Sequence, residues 1–211
     1  VATDADLPAQ TLTYSITGGA DAAHFAIDSA TGALSFAAAP DYESPADADA
    51  NNIYDVIVQA SDGALSDSQT IAVTVTPAND NAPAITSSAT ANVAENSTTV
   101  RTVVATDADL PAQTLTYSIT GGADAARFTI DSATGVLSFV TAPDYESPAD
   151  TDADNVYDVI VQASDGTLTD TQSITGTGTP ANDNAPVIAG GAAGNVVENT
   201  TTVQTVVAID A

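Results

Sequence analysis

A stretch of 103 residues is written almost twice in this chain. Val1-Ala2-Thr3-Asp4-Ala5-Asp6 returns as Val104-Ala105-Thr106-Asp107-Ala108-Asp109, Asp41-Tyr42-Glu43 as Asp144-Tyr145-Glu146, and Asn79-Asp80-Asn81 as Asn182-Asp183-Asn184. Residues 1–108 align on 104–211 without a gap, and 83 of the 108 positions are identical. A period of this length means a domain repeated in tandem rather than one large domain. Copies this similar favour a duplicated spacer over two modules with separate binding tasks.

Within one copy the pattern is all-β. Thr114-Leu115-Thr116-Tyr117-Ser118-Ile119 alternates apolar and polar residues with period two, as a half-buried strand does. Arg127 to Ile130 and Val136 to Phe139 flank the turn Asp131-Ser132-Ala133-Thr134-Gly135, where Gly135 supplies a positive φ. Val156 to Ala163 is a further strand, ended by Asp165-Gly166, and Ile71, Val73 and Val75 alternate in the last strand of the first copy. Short strands and turn signals spread over about 100 residues read as a β-sandwich. No segment shows helical periodicity.

Charge narrows the function. The chain has 28 acidic residues against Arg101 and Arg127, no lysine, and a formal charge of −26. Phosphate binding needs clustered Lys or Arg, so nucleic acid is excluded as a partner. Acidic chains can be disordered, but 44% hydrophobic residues in repeated Val/Ile/Tyr runs argue for a folded one. Bound divalent cations are the evident neutraliser of such a charge. Cysteine is absent, so there is no disulfide framework and no thiolate metal site. The longest apolar runs, such as Val56-Ile57-Val58, are far too short to cross a bilayer, so no membrane insertion is expected. The chain opens on Val1 without a signal-peptide pattern, which reads as a processed chain or a window on a longer one.

The carboxylates are clustered: Glu95-Asn96, Asp107-Ala108-Asp109, Asp144-Tyr145-Glu146 and Asn182-Asp183-Asn184. Calcium takes six to eight oxygens from carboxylates, amides and backbone carbonyls, and such clusters supply them. One Asp-x-Asp alone reads as a solvated turn; four clusters at a fixed period are a much stronger signal. With these motifs in order, followed by Ala163-Ser164-Asp165-Gly166 and Asn182 to Pro186, the chain closely resembles the cadherin repeat family. The Phe128-x-Ile130-Asp131-x-x-Thr134-Gly135 turn and the Leu115-x-Tyr117-Ser118-Ile119 strand are similar to that family too. The resemblance covers essentially the whole chain and is closest to the repeat arrays of giant bacterial surface adhesins and fibres.

The resemblance implies tandem seven-stranded Greek-key sandwiches of immunoglobulin-like type, with Ca2+ held where successive repeats join. It divides the chain into 1–81, a repeat without its first strands; 82–184, a complete repeat; and 185–211, the first strands of a third. The first junction is expected to use Asp41, Glu43, Asn79, Asp80 and Asn81, the carbonyls of Ala78 and Gln113, and Asp107, Asp109 and Asp165 of the next repeat. The following junction takes Glu95, Asp144, Glu146, Asn182, Asp183, Asn184 and Asp210. Asp4, Asp6 and Asp62 serve a junction before the first repeat. A complete junction gathers about seven carboxylates, which three divalent ions, the number the family implies, would nearly cancel. Two departures from the family pattern stand out. Pro77 and Pro180 occupy a position that is often acidic, and Leu110-Pro111-Ala112-Gln113 is a residue short.

Other signals weigh less. Asp150, Asp152 and Asp154, with Asp47, Asp49 and Asn51 in the first copy, form either an extra calcium loop or a solvated acidic loop; the EF-hand glycine and terminal glutamate are missing. His24 becomes Arg127 in the second copy, which argues against catalysis and for a surface role. Asn96-Ser97-Thr98 and Asn199-Thr200-Thr201 match a glycosylation acceptor, but that asparagine belongs to the Glu-Asn element. Val73 and Val75 become Gly176 and Gly178, which reads as drift or as close approach by another backbone. If both glycines face the core, restoring the valines should stabilise that repeat unless another strand packs there.

The expected function is structural: a calcium-rigidified extension of an extracellular surface protein or filament, without enzymatic activity. Its partners are neighbouring repeats or copies of itself, head to tail. The alternative is a calcium-dependent homophilic or heterophilic recognition module. Because a sandwich without its first strands exposes core and an open edge, two continuations are expected. Either the segment belongs to a long array, or residues 185–211 of one copy complete the first repeat of the next.

Overall fold

A computed structural model of the chain describes residues 2–6, 8, 10–189, 191 and 194–209. It consists of strands and two single turns of 3-10 helix, Ala22–His24 and Ala125–Arg127, with no α-helix among the described residues. The chain forms two compact units, one from residues 1–81 with 107–113, the other from 82–106 with 114–211. The division departs from the repeat boundaries at 107–113 for a local reason. The backbone and side-chain N–H groups of Asn81 donate to Asp109 Oδ1 at 3.1 and 2.8 Å, and Leu110 N donates to Glu43 Oε1 at 3.0 Å.

The first unit contains β1 (Thr13–Gly18), β2 (Phe25–Ile27), β3 (Leu34–Phe36), β4 (Ile53–Ser61) and β5 (Ser66–Thr74). The second contains β6 (Ala84–Ile85), β7 (Thr90–Ala94), β8 (Thr99–Thr102), β9 (Ala105–Thr106), β10 (Thr116–Gly121), β11 (Phe128–Ile130), β12 (Val136–Phe139), β13 (Val156–Ser164) and β14 (Thr169–Thr179). Two short strands, β15 (Val187–Ile188) and β16 (Ala208–Ile209), follow.

In the second unit one sheet runs β10-β13-β14-β7 and the other β11-β12-β8. All of these pairings are antiparallel except β7, which lies parallel to β14 with Gly176 opposite Ala91 and Gly178 opposite Val93. Inward residues alternate along each strand, as a sheet with one buried face requires. Val93, Val103, Phe128, Leu137, Phe139, Tyr157, Val159, Val161 and Ile174 form the core. Phe128 stacks on Phe139 at 4.6 Å and Tyr157 meets the edge of both rings, an arrangement favoured by the ring quadrupoles. Tyr157 is buried, and its hydroxyl accepts a hydrogen bond from Ala149 N, tethering the loop that carries Asp144 and Glu146.

The β11–β12 turn needs its glycine. Asp131 Oδ1 accepts the N–H groups of Ala133 and Thr134 at 3.0 and 2.8 Å, and Gly135 sits at φ 70°. A side chain at 135 would place its Cβ 2.3 Å from the Val103 carbonyl oxygen. The glycines of β14 are buried and face inward, and β7 is the strand packed against them. A Cβ at Gly176 would come no closer than 3.8 Å to any atom, and one at Gly178 would lie 3.4 Å from Asn155 Oδ1.

The first unit repeats β10 to β14 with the same register but differs in what is covered. One sheet is β1-β4-β5 and the other β2-β3. Among the described residues β5 pairs only with β4, and β3 only with β2, where β14 and β12 each have a further partner. Leu34, Phe36, Val58 and Ile71 are only half-buried, whereas their identical counterparts Leu137, Phe139, Val161 and Ile174 are buried. The difference arises from β7 and β8, which bring Val93, Val100 and Val103 onto the core of the second unit.

Leu137→Ala is expected to cost about 2–5 kcal/mol and Leu34→Ala distinctly less, because removing a half-buried side chain forfeits less transfer energy and leaves no closed cavity. Denaturant titrations of the two variants, followed by hydrogen exchange at core amides of each unit, measure the difference. Gly176→Ala is expected to raise the stability of the second unit by about 0.5–1 kcal/mol, since a methyl fits and strand glycine carries an entropic cost. Thermal unfolding of that variant checks it.

Candidate metal centre

Backbone turns place the acidic side chains. In the second unit Glu95 follows β7, and the next residue, Asn96, adopts φ 64°, a left-handed conformation that asparagine tolerates better than most residues. This turn aims Glu95 inward. It is buried and accepts the backbone N–H groups of Tyr145 and Ala181, joining the Asp-Tyr-Glu loop to the segment after β14. One carboxylate oxygen each from Glu95, Asp144 and Glu146 lie within 4.8 Å of one another. Asp144 Oδ1 also accepts Glu146 N and Ser147 N at 3.2 and 3.1 Å, so the loop is held as an Asx turn. Asp183 takes a hydrogen bond of 2.6 Å from Asn96 Nδ2 and one of 3.2 Å from Asn184 Nδ2, and Asn182 is exposed beside it.

In the first unit Glu43, Asp80 and Asp109 form the corresponding set, again with one oxygen each within 4.8 Å. Asp109 is 1% exposed. Burial opposes its charge, but hydrogen bonds from the side chain and backbone of Asn81, the backbone of Asp80 and the side chain of Gln113 outweigh that penalty and hold its carboxyl below the usual aspartate range. Asp41 is exposed and caps the turn through Glu43 N and Ser44 N at 3.0 and 3.2 Å. Asn79 is half-buried on the same stretch as Asp80. Asp107 Oδ2 and Gln113 Oε1 are buried oxygens without a hydrogen-bond donor. Buried acceptors of this kind fit a hard cation, which wants oxygen ligands and no proton.

Asp4, Asp6 and Asp62 form a third set within 4.8 Å, in the first unit. Asp62 accepts Leu65 N and Ala64 N, and these bonds lower its carboxyl pKa against a small burial penalty. Its counterpart Asp165, on the β13–β14 turn, likewise accepts Thr167 N and Leu168 N at 2.6 and 2.7 Å. Asp210 lies outside the described residues.

The acidic loops are more ordered than a solvated turn. Asp150 is buried and accepts Asp154 N and Asn155 N, while Asp152 and Asp154 stay exposed and converge with it. The neighbouring Asp154 charge, then burial, push the Asp152 carboxyl above its ordinary pKa. In the first copy burial, then Asp47, raise Asp49 in the same way.

Two features escaped the sequence reading. Gln113 presents a buried side-chain oxygen, Oε1, that lacks a donor, which the residue type alone did not disclose. Asp124 is buried and takes Thr151 N, Thr151 Oγ1 and Asp158 N, all at 2.8–2.9 Å; Asp21 does the same with Ala48 N and Asp55 N at 2.7 Å. Their one sequence signal is an aspartate kept in both copies just before a short 3-10 turn. Burial raises the Asp124 pKa, but the bonds from Asp158 and Thr151 and the Arg127 charge outweigh it, so the carboxyl titrates below its usual range.

Fold and site together define a class of protein: tandem β-sandwich repeats that carry oxygen-donor clusters in the loops after their strands. The chain belongs to the cadherin domain family, whose signature ("Cadherin domain") matches residues 1–76 and 89–180. It is 35% identical over 191 residues to Protocadherin Fat 1 of Homo sapiens, covering 85% of this chain and 4% of that relative. A shorter stretch of 34 residues is 59% identical to Halomucin of Haloquadratum walsbyi, covering 16% of this chain. Among solved structures, the extracellular domain of protocadherin GammaB4 superposes with a TM-score of 0.60 at 26% identity, covering 95% of this chain and 34% of that one. The chain thus spans a small fraction of the large relatives it matches, and the giant-adhesin subtype expected from sequence is not singled out among them.

Asp124→Asn is expected to lower the melting temperature of the second unit at neutral pH. A carboxyl with a depressed folded pKa stabilises fully above its unfolded value of about 3.9, and the contribution fades as the pH falls through the folded value. Melting curves of both proteins from neutral pH to below 4 should therefore converge at the acid end.

Proposed function

We propose that this chain is a calcium-rigidified structural and adhesive extension, part of an extracellular surface protein or filament of the adhesin type, and that it catalyses no reaction. Its units are 1–81, 82–184 and the opening strands 185–211, and its partners are neighbouring repeats or copies of itself, head to tail. The observation that carries this reading is the oxygen-only chemistry of the sets Glu43–Asp80–Asp109 and Glu95–Asp144–Glu146, with Asp107 Oδ2 and Gln113 Oε1 buried and lacking donors. The near-identity of the copies supports a spacer over a recognition module, since a binding face would carry copy-specific exposed aromatics.

The residues that would hold Ca2+ are Glu43, Asp80, Asn81, Asp107, Asp109 and Gln113 in one set, and Glu95, Asp144, Glu146 and Asp183 in the other. Asp41, Asn79, Asn182, Asn184, Asp165, Asp4, Asp6, Asp62 and Asp210 complete the ligand inventory. Bound calcium supplies positive charge that cancels carboxylate repulsion in a partly desolvated place. The chain's own contribution is positional. Asx turns at Asp41 and Asp144 present Glu43 and Glu146, the Asn81 hydrogen bonds tie the segment after β5 to the Asp-Ala-Asp loop at Asp109, and Glu95 ties the segment after β14 to its own unit. Those segments lead from one repeat to the next, so fixing them stiffens the array.

A ligand that binds only the folded state stabilises it by mass action, about 2.7 kcal/mol per site at a ~100-fold excess over its dissociation constant. Chelation is therefore expected to lower the melting temperature and shorten the particle seen by small-angle scattering; curves indifferent to chelator would rule the reading out. In calorimetric titration, Asp183→Ala should weaken calcium binding more than Asp152→Ala, and equal effects would overturn the ligand ranking.

A further inference from the structure

The Glu-Asn element holds the Asp-Tyr-Glu loop of the second unit by two backbone groups. Asn96 N donates to the Pro143 carbonyl at 3.0 Å, and Tyr145 N donates to Glu95 Oε2 at 2.9 Å. A further bond comes from elsewhere in the unit: Asn155 Nδ2 donates to the Tyr145 carbonyl at 3.0 Å. In the first unit Asn52 Nδ2 donates to the Tyr42 carbonyl at the same 3.0 Å. Asp144 and Glu146 flank Tyr145, as Asp41 and Glu43 flank Tyr42. The amide therefore grips the peptide group that joins the tyrosine to the second candidate ligand of each loop.

We propose that Asn155, and Asn52 in the first unit, are positioning residues for the candidate calcium sets. Each fixes where the carboxylates of its Asp-Tyr-Glu loop stand, without itself touching a cation. The inference rests on the calcium reading above and adds to it residues that carry no charge. Asn155 is itself anchored: its N–H donates to Asp150 Oδ1 at 3.3 Å, its carbonyl accepts Gly178 N at 2.8 Å, and its φ is 64°. Asn52 repeats each feature, with Asp47 Oδ1 at 3.2 Å, Val75 N at 2.9 Å and φ 63°. This gives the acidic loop a task. Buried Asp150, which also accepts Asp154 N at 2.8 Å, holds the asparagine, and the asparagine passes that constraint to the Tyr145 carbonyl.

The left-handed backbone alone does not call for asparagine, since glycine adopts it at lower cost. What asparagine adds is the amide, and half of that amide goes unused: Asn155 Oδ1 and Asn52 Oδ1 are both buried without a donor. A buried acceptor left unpaired costs stability. The side chain is therefore poorly explained as a stabiliser and well explained by what its Nδ2 holds. The copies differ around it, with Ala48 against Thr151, Asn51 against Asp154 and Ile53 against Val156, while the asparagine and its bond recur. Removing a side chain that orients a metal ligand through a hydrogen bond typically changes metal affinity by about 10–100-fold.

The separating variant is Asn155→Gly, which keeps the left-handed backbone and removes the amide. Calcium titration of the isotope-labelled full chain is followed by NMR at the amides of Tyr145 and Glu146. Their midpoints should move to about tenfold higher calcium in the variant, with those of Tyr42 and Glu43 unmoved. Asn52→Gly should do the reverse. Asp152→Asn, in the same loop but without a bond to Asp-Tyr-Glu, should leave both pairs of midpoints in place. In chelator the melting temperature of Asn155→Gly should stay at the wild-type value, while hydrogen exchange at Tyr145 and Glu146 should quicken. Unmoved midpoints in both glycine variants, an equal loss from Asp152→Asn, or a melting temperature in chelator that falls in step with affinity would overturn the proposal. A wild-type chain whose resonances ignore calcium removes the calcium reading instead. Exchange in chelator then decides whether Asn155 holds the loop: faster in Asn155→Gly if it does, unchanged if it does not.

Discussion

With twenty-eight carboxylates and two arginines, this chain holds its negative charge mainly with backbone N–H groups, joined by the side chains of residues such as Asn81, Asn96 and Thr151. The buried carboxylates use them throughout. Asp21 and Asp124 each take N–H groups from two distant segments, Glu95 bridges the Asp-Tyr-Glu loop and the segment after β14, and Asp150 pins its own loop. A carboxylate satisfied in this way stabilises its surroundings while it stays ionised, since charge-assisted bonds are stronger than neutral ones. The backbone cannot serve every oxygen, however. Carboxylate oxygens also gather in sets of three within 4.8 Å, and Glu95, Asp109 and Asp150 take backbone N–H groups within such sets. The same side chain therefore acts as a structural clamp and as a candidate metal ligand, as Glu95 and Asp109 do.

Burial in the two units separates what a sequence encodes locally from what a neighbouring strand confers. Leu34 and Leu137 occupy identical strands with identical registers, and so do Val58 and Val161. Their different burial follows entirely from β7 and β8. The strand registers of a repeat are therefore set within β10 to β14 and their counterparts, while the depth of the core depends on β7 and β8. This is expected of a sandwich, where each sheet's inner face is satisfied by the other sheet and by its own flanking strands.

Local pattern made most of this legible in the sequence. The Thr114–Ile119 alternation, the Asp131–Gly135 turn and the inward faces of Ile71, Val73 and Val75 are decided by neighbours within a few residues. The carboxylate clusters of the candidate sites were legible for a related reason, because each run is contiguous and recurs at one period. Long-range partnerships were harder to see. Asp124 meets Thr151 and Asp158, 27 and 34 residues away, and no periodicity announces such a pair. Gln113 looked like a carbonyl donor, and only the fold shows its side-chain oxygen buried without a donor. The acidic loop was ambiguous because sequence spacing cannot say which of Asp150, Asp152 and Asp154 turns inward. Asp150 does, and the remaining pair bears the repulsion that raises Asp152.

The glycines of β14 shape how that strand receives its parallel neighbour. Where β14 takes β7 as its parallel neighbour, Gly176 lies opposite Ala91 and Gly178 opposite Val93. Core packing penalises both excess and missing volume, so one exchanged methyl at a strand–strand contact discriminates between otherwise similar partners. The charge of −26 works against every association in equal measure and gives no preference among registers. Cations held at the carboxylate sets would lower that repulsion.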